Sequence, residues 1–229
     1  MEIGEAISTR KSIRAFKPDP IPQKILREIL QQAQKAPSWT NIQPWEFAIA
    51  TGLPLREIRQ NYLELIGKEL TPDLPRPLEF PEPYDTRRRI AINQSHEAQG
   101  LRRDDKEARI AWERAQLTNF GSPCEIYIYT DLALYHQGGG NNVWAIFDCG
   151  SVAENIMLLA TSYGLGTIPQ AQAVVHPEIL RRVLGIPESK LMILGIAIGF
   201  PDWNSGLNKM QTAREPLDKI ARWHGFPAE

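Results

Sequence analysis

Two short stretches of this chain carry residue types that could do chemistry together. Arg10-Lys11-Ser12-Ile13-Arg14 places three cations and a hydroxyl side by side, the donor set that holds a phosphate dianion through guanidinium forks and an O–H. Ala36-Pro37-Ser38-Trp39-Thr40-Asn41-Ile42-Gln43-Pro44-Trp45 follows, with amide side chains at Asn41 and Gln43 and two indoles. Pro37 and Pro44 stiffen it, so its polar groups lose little freedom on binding. An amide offers both a donor and an acceptor and can read the polar edge of a heterocycle. The pair suits a phosphorylated, planar cofactor. Taken singly, the first stretch also reads as a solvated basic turn and the second as a Pro-bounded loop before a strand.

The order of these stretches, a basic R-K-S-x-R segment, an amphipathic helix and then A-P-S-x-x-N-x-Q-P-W, resembles the FMN-dependent nitroreductase family. Gly164-Leu165-Gly166-Thr167-Ile168-Pro169-Gln170-Ala171 looks like that family's second flavin-facing loop, and Arg214-Glu215-Pro216-Leu217 is similar to its late R-x-P-L. The middle of the chain matches more loosely. The resemblance implies an α+β fold with a mixed sheet flanked by helices, in an intertwined homodimer. It implies that Arg10, Ser12, Arg14 and Arg214 hold the FMN phosphate. Lys11 stands where many relatives carry a second arginine, keeping the charge without the planar fork. Ser38, Trp39 and Asn41 would reach the flavin of the partner subunit, and Pro169, Gln170 and Ala171 would present backbone amides near flavin N5. Trp39 and Phe120 are candidate aromatic walls for a planar substrate, with core packing as the alternative.

The activity so implied is ping-pong: NADH or NADPH donates to FMN and leaves, and a nitroaromatic, a quinone or a similar electron-poor small molecule takes its place. No catalytic side chain is named, because the flavin carries the electron transfer while the protein binds, orients and tunes it. The same scaffold hosts flavin-fragmenting and reductive dehalogenating relatives. A flavin-binding protein without turnover is the non-enzymatic alternative.

Composition narrows the classes further. A chain of 229 residues with 42% hydrophobic and 23% charged residues suits a single domain with a sizeable core. The formal net charge of -1 argues against a general nucleic-acid or membrane-surface binder. The first residues lack a signal-peptide core, and the longest apolar run, Leu191 to Phe200, is too short to span a bilayer; the expectation is a cytoplasmic protein. Cys124 and Cys149 form no C-x-x-C, and His96, His136, His176 and His224 are scattered, so no metal is expected. Neither a G-x-S-x-G elbow nor a complete G-x-G-x-x-G is present.

The elements that must position these residues are legible as periodicities. Ile21, Ile25, Leu26, Ile29, Leu30 and Ala33 recur at helical spacing, with Pro22 at the start and Pro37 beyond the end. Residues 45–51, 124–130 and 191–199 read as strands, and 147–163 as a central apolar helix. Residues 70–80 are crowded with prolines and precede a long charged helix candidate from Thr86 to Gln116, containing Arg87-Arg88-Arg89 and Arg102-Arg103-Asp104-Asp105-Lys106. Its alternating charges read as a solvated face, and the region 53–118 as an inserted helical cap. Gly138-Gly139-Gly140-Asn141-Asn142 reads as a loop.

Overall fold

Alternation of side chains along two strands explains the layering of the molecule. The computed structural model describes residues 1–99, 106–138 and 140–226. Ile126 and Ile128 on β2 (Cys124–Asp131) and Ile196 and Ile198 on β6 (Lys190–Gly199) point to one face of a sheet, while Tyr127 and Met192 belong to the apolar cluster on the other. Both faces are therefore covered, as the near-continuous apolar run of β6 requires. With β1 (Glu46–Thr51) and β5 (Gly166–Gln170) they form a sheet of order β1-β2-β6-β5, each neighbouring pair antiparallel.

One face packs on α2 (Gln23–Ala33) and α7 (Trp144–Ser162), which contribute Leu26, Ile29, Val152 and Ile156 to the first cluster. α2 starts after Pro22 and buries the stripe expected from its spacing. The opposite face packs on α3 (Gly52–Glu64) and α8 (Pro177–Leu184) through Leu55, Ile58, Tyr62, Ile179 and Leu180. The chain thus forms an α+β sandwich in which a sheet lies between helical layers. Among the described residues no helix is long and apolar enough to cross a membrane.

The region 53–118 holds α3, α4 (Tyr84–Gln99) and α5 (Lys106–Leu117). Its first helix is part of the core rather than a cover over it, because Leu55, Ile58 and Tyr62 are buried. The long helix expected over 86–116 is occupied by α4 and α5, and Arg102, Arg103, Asp104 and Asp105 lie outside the described residues. The charges on α4 pair locally, Arg88 with Asp85 and Arg89 with Glu82, as a solvated face does, but Arg87 reaches Glu215 at 3.2 Å. A single turn, α6 (Leu132–Tyr135), follows β2. The glycine run then differs from a plain loop: β3 (His136–Gln137) and β4 (Gly140–Asn141) pair as a small hairpin around Gly138. Gly139 lies outside the described residues.

The N-terminal segment reaches the β5 edge, and the C-terminal tail meets that segment. After α1 (Ile3–Thr9), residues 10–16 run extended along the β5 edge. Ser12 pairs in parallel with Thr167, the Ile13 amide donates to the Thr167 carbonyl at 2.9 Å, and Phe16 bridges Pro201. The sheet is mixed at this edge. A Cβ at Gly166 would lie 2.4 Å from Ile13 Cγ1 and 2.8 Å from Pro201 Cγ, so the close approach of this strap requires glycine there. The C-terminal tail beyond β6 ends with α9 (Leu217–Ile220).

Candidate functional site

The strap's proximity to the tail creates the site. Arg10, Lys11, Ser12 and Arg14 line a cleft of about 720 Å³ together with Trp203, Met210, Gln211, Thr212 and Arg214. Four cations from the two ends of the chain thereby share one concavity. Arg10 contacts Glu154 at 3.5 Å, whereas Lys11, Arg14 and Arg214 have no carboxylate within ion-pair distance among the described residues. The Lys11 ammonium sits 5.2 Å from the Trp203 ring centre, and the Arg214 guanidinium donates to the Thr212 hydroxyl at 2.9 Å. Burial lowers the pKa of the Arg14 guanidinium from its ordinary value, and its charge faces no acidic neighbour. Such a collection of unneutralised cations with hydroxyl donors is complementary to an anion of high charge density.

Asn208 fixes the strap against the tail. Fully buried, it accepts from the Arg14 amide at 2.7 Å and donates to the carbonyls of Ala15 at 2.7 Å and Asp202 at 2.9 Å. An asparagine in a polar tail carries no sign that it will be buried.

Arg14 also borders a second, apolar groove of about 330 Å³, lined by Phe16, Ala108, Ala111, Trp112, Ala115 and Phe120 among others. The Trp112 and Phe120 rings lie 5.3 Å apart, and the small residues of α5 leave a shallow wall beside them. Phe120 therefore lines a groove and is half-buried. Its backbone is left-handed at φ 52°, beside Asn119 at 53° and Gly121 at 71°, so the turn holds the ring in a conformation its residue type disfavours.

Ser38, Trp39 and Asn41 do not line either space. They sit on a single turn before β1 in which Thr40, Asn41 and Gln43 all have positive φ, and Trp39 is exposed, its ring 4.9 Å from that of Trp144. The turn is held from below: the buried Asp148 carboxylate accepts from the Trp39 amide at 3.0 Å, and the Ser38 hydroxyl accepts from the Gln43 amide at 3.0 Å. Asp148 was missed in the sequence, although a carboxylate inside the apolar stripe of α7 is the kind of residue that must find a donor. At the end of β5, Pro169 is half-buried, Gln170 buried and Ala171 exposed; none of the three lines the cation cleft. Cys124 and Cys149 are buried free thiols, both pushed up to about 12 by burial, and the described residues hold no cluster of metal-ligating side chains.

Fold and site together define an α+β protein with a cationic cleft, complementary in charge to an anion, where an N-terminal basic strap meets the edge of its sheet. The chain belongs to the nitroreductase family: the family model described as "Nitroreductase family" matches residues 7–200. It is 30% identical over 225 residues to a chloronitrobenzene nitroreductase of Comamonas testosteroni, covering 95% of both chains. It is 28% identical over 216 residues to a 4-nitrobenzoate reductase of Nocardioides sp. (strain LMS-CY), covering 92% of this chain and 85% of that one. Among solved structures, the FMN and NADPH-dependent nitroreductase NfnB from "sphigopyxis sp. strain HMH" superposes with a TM-score of 0.91 at 28% identity, over 99% of this chain and 100% of the other.

Proposed function

We propose that this protein is an FMN-dependent oxidoreductase that uses NADH or NADPH to reduce nitroaromatics, quinones or similar electron-poor acceptors. One observation carries the reading: Lys11, Arg14 and Arg214, none with a carboxylate partner among the described residues, line one cleft with Arg10 and Ser12. The relatives named above, a chloronitrobenzene nitroreductase, a 4-nitrobenzoate reductase and an FMN and NADPH-dependent nitroreductase, support the same chemistry.

The donor set fits FMN. Arg10, Lys11, Ser12 and Arg214 suit its phosphate, and Arg14, bordering both spaces, continues the positive charge toward the apolar groove. When bound, FMN supplies the hydride and electron transfer. The side chains of this protein then bind and orient. Phe120 and Trp112 offer flat apolar walls to an aromatic ring, and a shared groove takes donor and acceptor in turn, the basis of a ping-pong cycle. Pro169, Gln170 and Ala171 are assigned to the N5 edge of the flavin.

Ser38, Trp39 and Asn41 lie apart from the cation cleft on an anchored, exposed turn, which suits a contribution to the site of a second copy. The assembly we propose is a two-fold homodimer with FMN at its interface, a common setting for cofactor sites. The whole chain is assigned to one domain, with the region 53–118 as a helical insertion whose Arg87 ties it to the cofactor-binding tail through Glu215. A cytoplasmic setting, where NADH and NADPH are at hand, is part of the proposal.

The test is the visible spectrum of the purified protein. Flavin bands that bleach on anaerobic addition of NADH or NADPH and return with a nitroaromatic are expected; a protein that binds no FMN overturns the reading. Arg10→Ala and Arg214→Ala should each weaken FMN binding about tenfold or more, the scale of one charge-assisted phosphate contact. Unchanged FMN titration curves would remove these residues from the phosphate site.

A further inference from the structure

A buried polar cluster lies under the α3 face of the sheet, outside both the cleft and the groove. Glu125 stands on β2, facing α3 with Tyr127, and is fully buried. The strand register carries this face across the sheet: Tyr127 pairs with Gly195 of β6, and Gly195 pairs with Gln170 of β5. A Cβ at Gly195 would lie 2.6 Å from Glu125 Oε1 and 2.4 Å from the Ala173 Cβ, so the carboxyl group occupies the space that the glycine leaves open. Cross-strand neighbours have Cβ atoms about 5 Å apart, which puts the carboxyl within one side-chain length of Gln170.

Seven side-chain atoms name what this cluster lacks or holds. Glu125 Oε1 and Oε2, Tyr127 Oη, Asn119 Oδ1, Gln170 Oε1 and Arg59 Nε are buried without a direct hydrogen-bond partner, while Gln170 Nε2 donates to the Gln116 carbonyl at 3.3 Å. Buried polar groups are costly unless paired. If Glu125 is ionised, the donors among the unpaired atoms are the Tyr127 hydroxyl and the Arg59 Nε–H, against four acceptor oxygens and a buried charge. If Glu125 keeps its proton, its O–H becomes a third donor, and three acceptors remain: Asn119 Oδ1, Gln170 Oε1 and its own carbonyl oxygen. Among these unpaired atoms donors and acceptors then match one for one, and the Asn119 amide N–H, beside Glu125 and Tyr127, serves either carboxyl state.

We propose that Glu125 keeps its proton in the folded protein and acts as a positioning residue for the end of β5, its carboxyl O–H fixing the Gln170 side chain from beneath. Burial also pushes its pKa well above the usual carboxylate range, against the opposing Arg59 charge on α3 and the Asn119 side chain. The other titratable groups facing it are Tyr62 on α3 and Tyr127 on β2, with the Cys124 thiol next to it in the strand but on the opposite face of the sheet; all three are raised by burial and neutral at ordinary pH. The consequence for the cofactor rests on the assignment of Pro169, Gln170 and Ala171 to the flavin edge. The protonation of Glu125 does not.

Infrared difference spectroscopy of the FMN-free protein at neutral pH separates the two. A protonated-carboxyl C=O band present in the wild type and absent from Glu125→Gln is expected; a wild type without it overturns the proposal and leaves the flavin reading untouched. In the FMN-loaded protein, Glu125→Gln should keep the flavin reduction potential of the wild type, since the amide donates in place of the acid. Glu125→Leu should shift the potential and weaken FMN binding by at least threefold. An unshifted potential in Glu125→Leu overturns the positioning role, because a purely structural carboxyl would change only the melting temperature. Should Glu125→Leu not fold, Gln170→Met removes the acceptor instead and should move the infrared band to higher frequency; an unmoved band overturns the contact. A protein whose FMN-free form shows the band but which takes up no FMN would fail the proposed function while keeping Glu125 protonated, and would overturn the cofactor-positioning role.

Discussion

Single buried side chains hold the site to the fold. Asn208 bonds three backbone groups where the strap and the tail meet; the Ala15 carbonyl also accepts from the Asp202 amide and the Asp202 carbonyl from the Ser205 amide, so the Arg14 amide is the group that depends on it. Replacing Asn208 with alanine leaves the Arg14 amide without a partner and removes two further bonds, which costs about 1–3 kcal/mol. Asn208→Ala should therefore lower stability in urea unfolding and weaken FMN binding at the same time, since Arg14 is the residue it holds; a variant with wild-type stability would contradict this role. Glu125 makes a prediction of opposite kind, in pH rather than in contact. Its folded pKa is raised above that of the unfolded chain, so its contribution to stability is complete below the unfolded carboxylate pKa and is lost as pH rises toward the folded value. Stability should fall along that limb, and Glu125→Gln, which cannot ionise, should flatten it. Equal slopes in the two proteins, measured by denaturation at successive pH values, would show that the carboxyl is charged in the folded state.

Elements meet at this site through close backbone approaches. The strap crosses β5 at Gly166, where an added Cβ would press on Ile13 and Pro201. Gly166→Ala should cost about 1–3 kcal/mol by overpacking and should loosen FMN, because Arg10 to Arg14 ride on the displaced segment. Gly4→Ala, on α1 with nothing within 4 Å, is the control and should be neutral or stabilising in thermal unfolding. If both variants melt alike, the crossing is not tight. Strands β1, β2 and β6 and the helices α2 and α7 were legible in the sequence because their apolar residues repeat with the period of the element that buries them, whereas β5 read as a loop, its short Gly-Thr-Ile-Pro-Gln run holding a glycine and a proline that weaken the strand signal. The phosphate-binding candidates were legible because Arg10 to Arg14 cluster in sequence, and Arg214 because the family resemblance reached it. Asn208, Asp148 and Glu125 were not, since each is a polar residue whose meaning depends on a partner more than a hundred positions away or on a neighbouring strand. The role of α3 was hidden for a related reason: its sequence is amphipathic, and only the packing of Leu55, Ile58 and Tyr62 distinguishes a core helix from a cap.

At the scale of the whole molecule, the distribution of exposed apolar side chains argues for a second copy. Phe147 is 63% and Trp144 48% exposed on α7, next to Trp39, and Ile3 and Ile7 are exposed on α1. The tail adds Leu217, Ile220, Trp223 and Phe226, exposed around α9. Scattered apolar residues on a surface need no explanation, but a helix that is apolar on both sides is ordinarily covered on both. α7 buries Val152, Ile156 and Ala160 against the sheet and turns Phe147 outward beside the anchored Trp39 turn. In the proposed homodimer this face would be the centre of the interface, so that dimerisation and cofactor binding share residues. Phe147→Asp puts a charge where that face closes. It should raise the dimer dissociation constant at least about a hundredfold, the effect of losing a central hot spot, and the resulting monomer should release FMN although every residue of its cation cleft is intact. Sedimentation velocity of the flavin-loaded protein, read at the flavin and protein wavelengths, tests both parts at once. The wild type should sediment as a dimer carrying flavin, with a melting temperature that rises with protein concentration as mass action requires, and the variant as a colourless monomer. A monomeric wild type that retains FMN would instead mean that Ser38, Trp39 and Asn41 serve only their own turn and that the cleft between strap and tail is sufficient by itself.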